Sequence, residues 1–377
     1  MNMRVVFAAL IALVSPILSH AALAEVKIQS VTSKGGITAW LVEDHEIPFT
    51  ALELRFKGGA SLDAPGKRGA INLMTATLEE GSGDLDSRAF AKAAESLAAQ
   101  FRFDAGDDSV AISAQMLTEN RDEAVALLRR ALIEPSFPQA AVDRVRGQVR
   151  SILQSDATDP NAIASEVFGK LAFGDHPYGS SLNGTEDSLK ALTREDLIEA
   201  KDRVLARDRL YVSAVGDITP EALGTLLDDL LGALPETGAP MPEEANVSLT
   251  GGTIVVPYDS PQSVVIFGQK GIAMEDPDFF AAYVANQILG DGGFSSRLMD
   301  EVREKRGLTY GIGSYLVPRD YAKTWQGSFA SANGKVAEAI SVIRDEWRKM
   351  AKGGVTQQEL DAAKTYLTGA YPLRFDG

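Results

Sequence analysis

A helix that holds a catalytic zinc ion presents two histidines four residues apart on one face, with a glutamate between them to activate the metal-bound water. The stretch Gly69-Ala70-Ile71-Asn72-Leu73-Met74-Thr75-Ala76-Thr77-Leu78 has the setting of such a helix, but the three positions read Asn72, Thr75 and Ala76. The chain contains three histidines in all, His20, His45 and His176, and no cysteine. Nothing in the spacing of His45 and His176 suggests that they join a distant carboxylate as zinc ligands, and each histidine reads as a loop residue beside turn formers. Chemistry-bearing residues do occur seven positions apart at Arg303 and Tyr310, inside the run that extends from Gly290 to Tyr315. A guanidinium can donate two hydrogen bonds to carbonyl oxygens, and a phenol can donate one to an oxyanion. Taken alone, Arg303 belongs to a solvated helix end with Glu301, Glu304, Lys305 and Arg306, closed by Gly307, while Tyr310 opens a core strand.

The elements that must position these residues follow from periodicity. Alternation in Ala51-Leu52-Glu53-Leu54-Arg55-Phe56-Lys57 and in 109–114 marks half-buried strands, and 119–134, 138–156 and 160–173 carry helical spacing. A strand at 209–216 closes a first unit, and 233–251, rich in Pro, Gly and acidic residues, reads as a linker. Beyond it the pattern restarts, with strands near 252–257 and 262–269, a helix opened by Asp276-Pro277, and a second helix near 295–306. The fold class is α+β.

The restart is an internal repeat. Ser87-Arg88 aligns with Ser296-Arg297 at an offset of 209, and Pro138 to Asp143 aligns with Thr356 to Asp361 at an offset of 218. A longer hairpin in the second half should absorb the drift. The smaller offset sets Ala94 and Phe101 opposite Arg303 and Tyr310, so the polar pair belongs to the second half alone. By the larger offset the second unit's closing strand would end near residue 433 (215 plus 218), yet the sequence stops at Gly377, and the second unit is therefore expected to be truncated. The organisation expected is a leader at 1–24, a first unit at 25–232, a linker at 233–251 and an incomplete second unit at 252–377.

Arg4, the apolar run from Val5 to Leu18 and the small-x-small ending Ala22-Leu23-Ala24 have the form of a secretory signal peptide, cleaved after Ala24. Periplasmic localisation is the expectation, with no transmembrane segment left after processing. The absence of cysteine excludes disulfides and thiolate sites. The formal charge is −15, with 37 basic and 52 acidic side chains, a balance that opposes binding to a phosphate backbone and argues against nucleic acid as a partner. No phosphate-cradling loop, Gly-x-Ser-x-Gly elbow or Gly-x-Gly-x-x-Gly fingerprint is present.

Gly58-Gly59-Ala60-Ser61, the Pro65-Gly66-Lys67 loop, the helix at Asn72 and Glu80-Gly81-Ser82 together resemble the N-terminal half of the pitrilysin/insulinase-type, inverted-zincin peptidases. The stretch from Gly290 to Tyr315 closely resembles the signature of that family's C-terminal half. Where the family has a further ligand glutamate on a later helix, the corresponding stretch Gly147 to Gln154 has no acidic residue. The resemblance covers essentially the whole mature chain. It implies two homologous units, each an antiparallel-rich sheet covered by helices, facing each other across a peptide-holding chamber. It assigns Arg303 and Tyr310 to substrate and transition-state binding and leaves Asn72, Thr75 and Ala76 as degenerate zinc-motif positions. Some small members work as paired subunits, and this chain fits the one without metal. The implied role is a non-catalytic, substrate-binding subunit that is not active alone and binds no cofactor. Zinc is expected in a homologous partner subunit, and unfolded peptides are the expected substrate. The alternative is a periplasmic scaffold or peptide-binding protein with no enzymatic role.

Overall fold

The computed structural model describes residues 27–374. The signal peptide expected at 1–24, its expected cleavage after Ala24 and Gly377 lie outside the described residues.

Strands β1 (Gln29–Thr32), β2 (Thr38–Glu43), β3 (Phe49–Lys57), β6 (Gln100–Ala105), β7 (Ser109–Leu117) and β8 (Leu210–Gly216) form one six-stranded sheet in the order β1-β2-β8-β3-β7-β6. The β2–β8 ladder is parallel, and the other ladders of this sheet are antiparallel. A small hairpin of β4 (Gly81–Ser82) and β5 (Leu85–Asp86) stands apart from it. Alternation does what the sequence suggests: Leu52, Leu54 and Phe56 are buried on one face, whereas Glu53, Arg55 and Lys57 occupy the other. The buried face is covered by helices α1 (Ala70–Thr75), α2 (Ser87–Ser96), α3 (Arg121–Ile133), α4 (Gln139–Asp156), α6 (Glu186–Ala191), α7 (Arg194–Val204) and α8 (Pro220–Leu231), with α5 (Pro160–Phe173) following α4. Leu128, Val142, Leu197 and Leu227 from these helices join Ile112 and the β3 residues in one core.

Strands β9 (Gln262–Lys270), β10 (Ile312–Arg319) and β11 (Ala322–Ala332) form a second sheet in the order β10-β11-β9. Its own core contains Leu298, Val302, Ile312, Phe329 and Ile343. Helices α9 (Phe279–Asn286), α10 (Val336–Gly353) and α11 (Gln357–Ala370) accompany it. Strand order and register repeat those of β6-β7-β3. Phe103 faces Ile112, which faces Leu54, as Ile312 faces Phe329, which faces Val265. Phe103 and Ile312 differ by 209 and Ile112 and Phe329 by 217, so the longer β10–β11 hairpin accounts for eight of the nine residues of drift.

Three sequence expectations require correction. Residues 252–257, expected as a strand, have no regular structure, and Ile254 and Val255 are 63% and 79% exposed. An apolar run becomes a strand only where a neighbouring strand takes its backbone hydrogen bonds. The helix expected to open at Asp276-Pro277 begins at Phe279, because Asp276 Oδ1 accepts from Asp278 N at 2.9 Å and closes a turn ahead of it. The helix expected near 295–306 spans only 297–304 and is π-helical over Met299–Glu304; Gln287–Asp291 is also π-helical, and a single 3-10 turn at Gly293–Ser295 lies between the two. Between Leu231 and Gln262 there is no regular element.

The tip of the β10–β11 hairpin docks on the first unit. Arg319 Nη1 lies 3.2 Å from Asp107 Oδ2, Asp320 N donates to Asp108 Oδ2 at 3.4 Å, and Tyr321 N donates to Tyr178 Oη at 3.1 Å. Tyr178 in turn donates its hydroxyl proton to Asp108. Among the described residues no helix is long and apolar enough to cross a membrane.

Candidate functional site

Helix α1 carries the degenerate motif. Gly69 enters it at φ +97°, and a Cβ there would lie 2.8 Å from Asn183 O, so only glycine fits. With no side chain of its own to cap the helix, Gly69 leaves that task to Asp63, whose carboxylate accepts from Gly69 N at 2.9 Å and Ile71 N at 2.8 Å. Burial pushes the Asp63 carboxyl above its usual range, opposed by those two N–H groups and by Arg68. Arg68 donates to Ala60 O, to Asp107 Oδ1 at 3.1 Å and to the carbonyls of Pro177 and Ser180, each at 3.1 Å, and so ties the Gly58–Leu62 turn to the loop that follows α5.

On this well-anchored helix the motif positions do not form a metal site. The Asn72 amide donates to Asn183 Oδ1 at 2.8 Å, Thr75 is buried with no hydrogen-bond partner for its hydroxyl among the described residues, and Ala76 is exposed. An amide already engaged, an inward hydroxyl and a methyl do not make the imidazole and carboxylate set that zinc requires. In the stretch corresponding to the family's ligand glutamate, Arg150 pairs instead with Glu186 at 2.9 Å. Among the described residues no three His, Cys, Asp or Glu side chains come together as a metal site. His45 is hydrogen-bonded to Asp217 at 2.6 Å and Glu43 at 3.0 Å, and both raise its pKa. His176 Nδ1 accepts from Tyr178 N at 3.2 Å, and burial lowers its pKa.

Arg303 and Tyr310 are brought together. Met299 and Val302 are buried in the second core, which fixes the π-helical turn and leaves Arg303 at its rim. Gly307, at φ +57°, ends the helix by donating to Arg303 O at 2.8 Å. Thr309 Oγ1 donates to Ala330 O at 2.6 Å and accepts from Gly311 N at 3.2 Å, which pins the backbone on both sides of Tyr310. Tyr310 lies two residues before β10 and does not start a core strand; it is 90% exposed. The Arg303 guanidinium sits 5.3 Å from the Tyr310 ring centre and 4.5 Å from that of Phe294. Its Nη1 lies 2.9 Å from Glu304 Oε1 in an ion pair, without a hydrogen bond of good geometry. Glu301 is occupied by Lys305 and Arg306, so the surrounding charges pair among themselves.

Phe294 is the residue that the sequence reading missed. An aromatic following Gly292-Gly293 was visible, but its contact with a side chain nine positions later depends on the π-helical turn. The first unit offers a control. Phe101, opposite Tyr310 in the repeat, packs on Phe90 with ring centres 6.2 Å apart as part of a small hydrophobic cluster. An exposed phenol and a guanidinium between two rings therefore occur in the second unit where the first has packing residues. π-Helical turns are frequent at functional sites, and this one sets an exposed phenol beside a half-buried guanidinium that is ion-paired with Glu304.

Comparison with known proteins identifies the family of the chain. Residues 39–186 match the model of Insulinase (Peptidase family M16), and 191–367 match that of the Peptidase M16 inactive domain. The non-peptidase homolog YmxG of Helicobacter pylori is 28% identical over 337 residues, covering 88% of this chain and 77% of that protein. An uncharacterized zinc protease of Streptomyces coelicolor is 26% identical over 327 residues, covering 84% of this chain and 70% of that protein. The crystal structure of a peptidase M16 inactive domain from Pseudomonas fluorescens superposes with a TM-score of 0.83 at 29% identity, over 91% of this chain and 84% of that one. With both halves matched and the ligand positions occupied by Asn72, Thr75 and Ala76, the chain belongs to peptidase family M16, as a member that lacks the family's zinc-binding motif.

Proposed function

We propose that this chain is the non-catalytic, substrate-binding subunit of a periplasmic zinc-metallopeptidase heterodimer. The observation that carries this reading is the exposed Tyr310 beside the half-buried Arg303 guanidinium, in a chain whose own motif positions cannot hold a metal. Zinc belongs to a homologous partner subunit, and this chain binds none. Arg303 donates to carbonyl oxygens of an unfolded peptide, and the Tyr310 phenol donates to the oxyanion that develops as the scissile carbonyl is attacked. The two units face each other across a chamber, and edge strands clamp the extended peptide. Signal-peptide features at residues 1–24 support the periplasm, and the acidic charge argues against nucleic acid.

The test is Tyr310→Phe in the assembled complex. Loss of one oxyanion donor should lower turnover by about 10²–10³-fold while co-purification of the two subunits is unchanged. Unchanged turnover removes Tyr310 from the reaction. A second reading, a periplasmic scaffold or peptide-binding protein without an enzymatic role, is favoured by the relatives named as a non-peptidase homolog and an inactive domain. Purification of the protein from periplasmic extract separates the two: a zinc-bearing sister chain in equal amount supports the heterodimer, and its absence supports the scaffold.

A further inference from the structure

The repeat puts three positions side by side in each unit. Leu85, Ala94 and Phe101 lie opposite Phe294, Arg303 and Tyr310 at the offset of 209 that aligns Ser87-Arg88 with Ser296-Arg297. In the first unit the three pack against one small hydrophobic cluster built on Phe90, Leu127 and Ala131. In the second unit they are a guanidinium between an aromatic ring and a phenol, and Phe294 is 70% exposed. Adjacency is thus kept while packing is given up. The turn that carries Phe294 is anchored without that ring. A Cβ at Gly290 would lie 2.6 Å from Ser314 N, and one at Gly292 would lie 2.6 Å from Gln287 O, so these glycines let the loop press on β10 and on the π-helical turn before it. Ser296, which is buried, donates its hydroxyl to Gly293 O at 2.9 Å and accepts from Met299 N at 3.4 Å, which ties the 3-10 turn to the helix bearing Arg303.

We propose that Phe294 is the positioning residue for Arg303, so that a peptide meets a guanidinium already set in place. The Phe294 ring centre lies 4.5 Å from the guanidinium carbon, closer than the 5.3 Å of Tyr310. Among the described residues Arg303 Nη1 has no hydrogen-bond partner, and its ion pair with Glu304 lacks the geometry of a hydrogen bond. A ring face holds the cation through its charge and consumes none of its N–H donors, whereas a hydrogen-bonded carboxylate would. An arginine free to sample rotamers must be ordered when a ligand binds, at a cost of about two- to tenfold in affinity, and a ring that orders it beforehand removes part of that cost. This inference rests on the reading of Arg303 as a donor to peptide carbonyls and adds the residue that presets it.

Two measurements on the purified protein test this. In NMR spectra the Arg303 Nε–Hε signal, identified by its disappearance in Arg303→Lys, should shift in Phe294→Leu, which keeps bulk and loses the ring, and should stay in place in Phe294→Tyr. The second measurement is fluorescence anisotropy with a labelled, unstructured basic peptide, chosen to suit the acidic chain. Phe294→Leu should weaken binding about fivefold, and Phe294→Tyr should bind within about twofold of wild type. Phe294→Leu added to Arg303→Ala should weaken binding no further than Arg303→Ala alone, because a residue that acts through Arg303 has nothing left to position. Thermal melts of the Phe294 variants should match wild type, since the ring is exposed. An Arg303 signal indifferent to Phe294→Leu overturns the positioning role, as does an equal loss of binding in Phe294→Leu and Phe294→Tyr. Losses that add in the double variant also overturn it, because the ring would then touch the peptide directly. If Arg303→Ala leaves binding unaltered, or the peptide does not bind at all, the reading of Arg303 as a peptide donor fails, while the Nε–Hε shift still decides whether Phe294 positions it.

Discussion

Single residues decide that α1 is a structural helix. Asn72 spends its amide on Asn183, and Thr75 turns its hydroxyl into the core. A buried hydroxyl without a partner is a liability, so Thr75→Val, which keeps the shape and removes the polar atom, should stabilise the protein by about 1 kcal/mol in urea unfolding. A loss of stability would show that the hydroxyl does have a partner. The absence of ligands was legible from the residue types alone. That Thr75 faces inward while Ala76 is exposed was not, because two adjacent helical positions separate into core and surface only once α1 is docked.

Elements were legible where local signals agree. Helices expected at 119–134, 138–156 and 160–173 appear as α3, α4 and α5 within two residues, the last opened by Asp159, which accepts from Asn161 N at 2.9 Å, with Pro160 at its first position. Residues 252–257 show the limit, since an apolar run looks the same with or without a partner strand. The π-helical turns were illegible because they change hydrogen-bond spacing without changing the apolar pattern. Helix α11 illustrates how one charged group joins elements. Glu359 completes a capping box with Thr356 and receives Arg297 at 2.6 and 2.8 Å, which holds its pKa down to about 2. Its folded pKa lies below the ordinary 4.5, so its stabilisation is present above that pH and is lost as pH falls towards 2. Glu359→Gln should cost about 1–2 kcal/mol at neutral pH, allowing for partial exposure, and the difference from wild type should close in acid. Chemical denaturation at pH 7 and pH 3 checks this, and an equal gap at both would refute it.

At the scale of the molecule, Tyr178 connects the two units. It donates to Asp108, accepts from Tyr321 N at 3.1 Å and lies 4.8 Å beneath the Arg319 guanidinium. Burial, followed by the bond to Asp108, pushes its phenol far above the usual range. Burial likewise raises the Asp108 carboxyl, so Asp108 contributes most below its ordinary pKa and less as pH rises through the raised value, the opposite sense to Glu359. Tyr178→Phe removes a donor and an acceptor together and should cost about 1–3 kcal/mol. Calorimetry should show a lower Tm with the two units melting apart, and an unchanged profile would show that the hairpin tip does not couple them.

What the sequence by itself determined is chemical inventory and local geometry: which ligands are missing, where helices such as 138–156 and 160–173 run, and that Arg303 and Tyr310 occur in one half of a repeat only. These depend on residue type and short-range spacing. Tertiary structure alone decided that Phe294, Arg303 and Tyr310 stack and that Tyr178 clasps Asp108 and the hairpin tip. Each of these is a contact between side chains set by strand register and by packing on a core, and pairings of that kind are not written in the residues that make them.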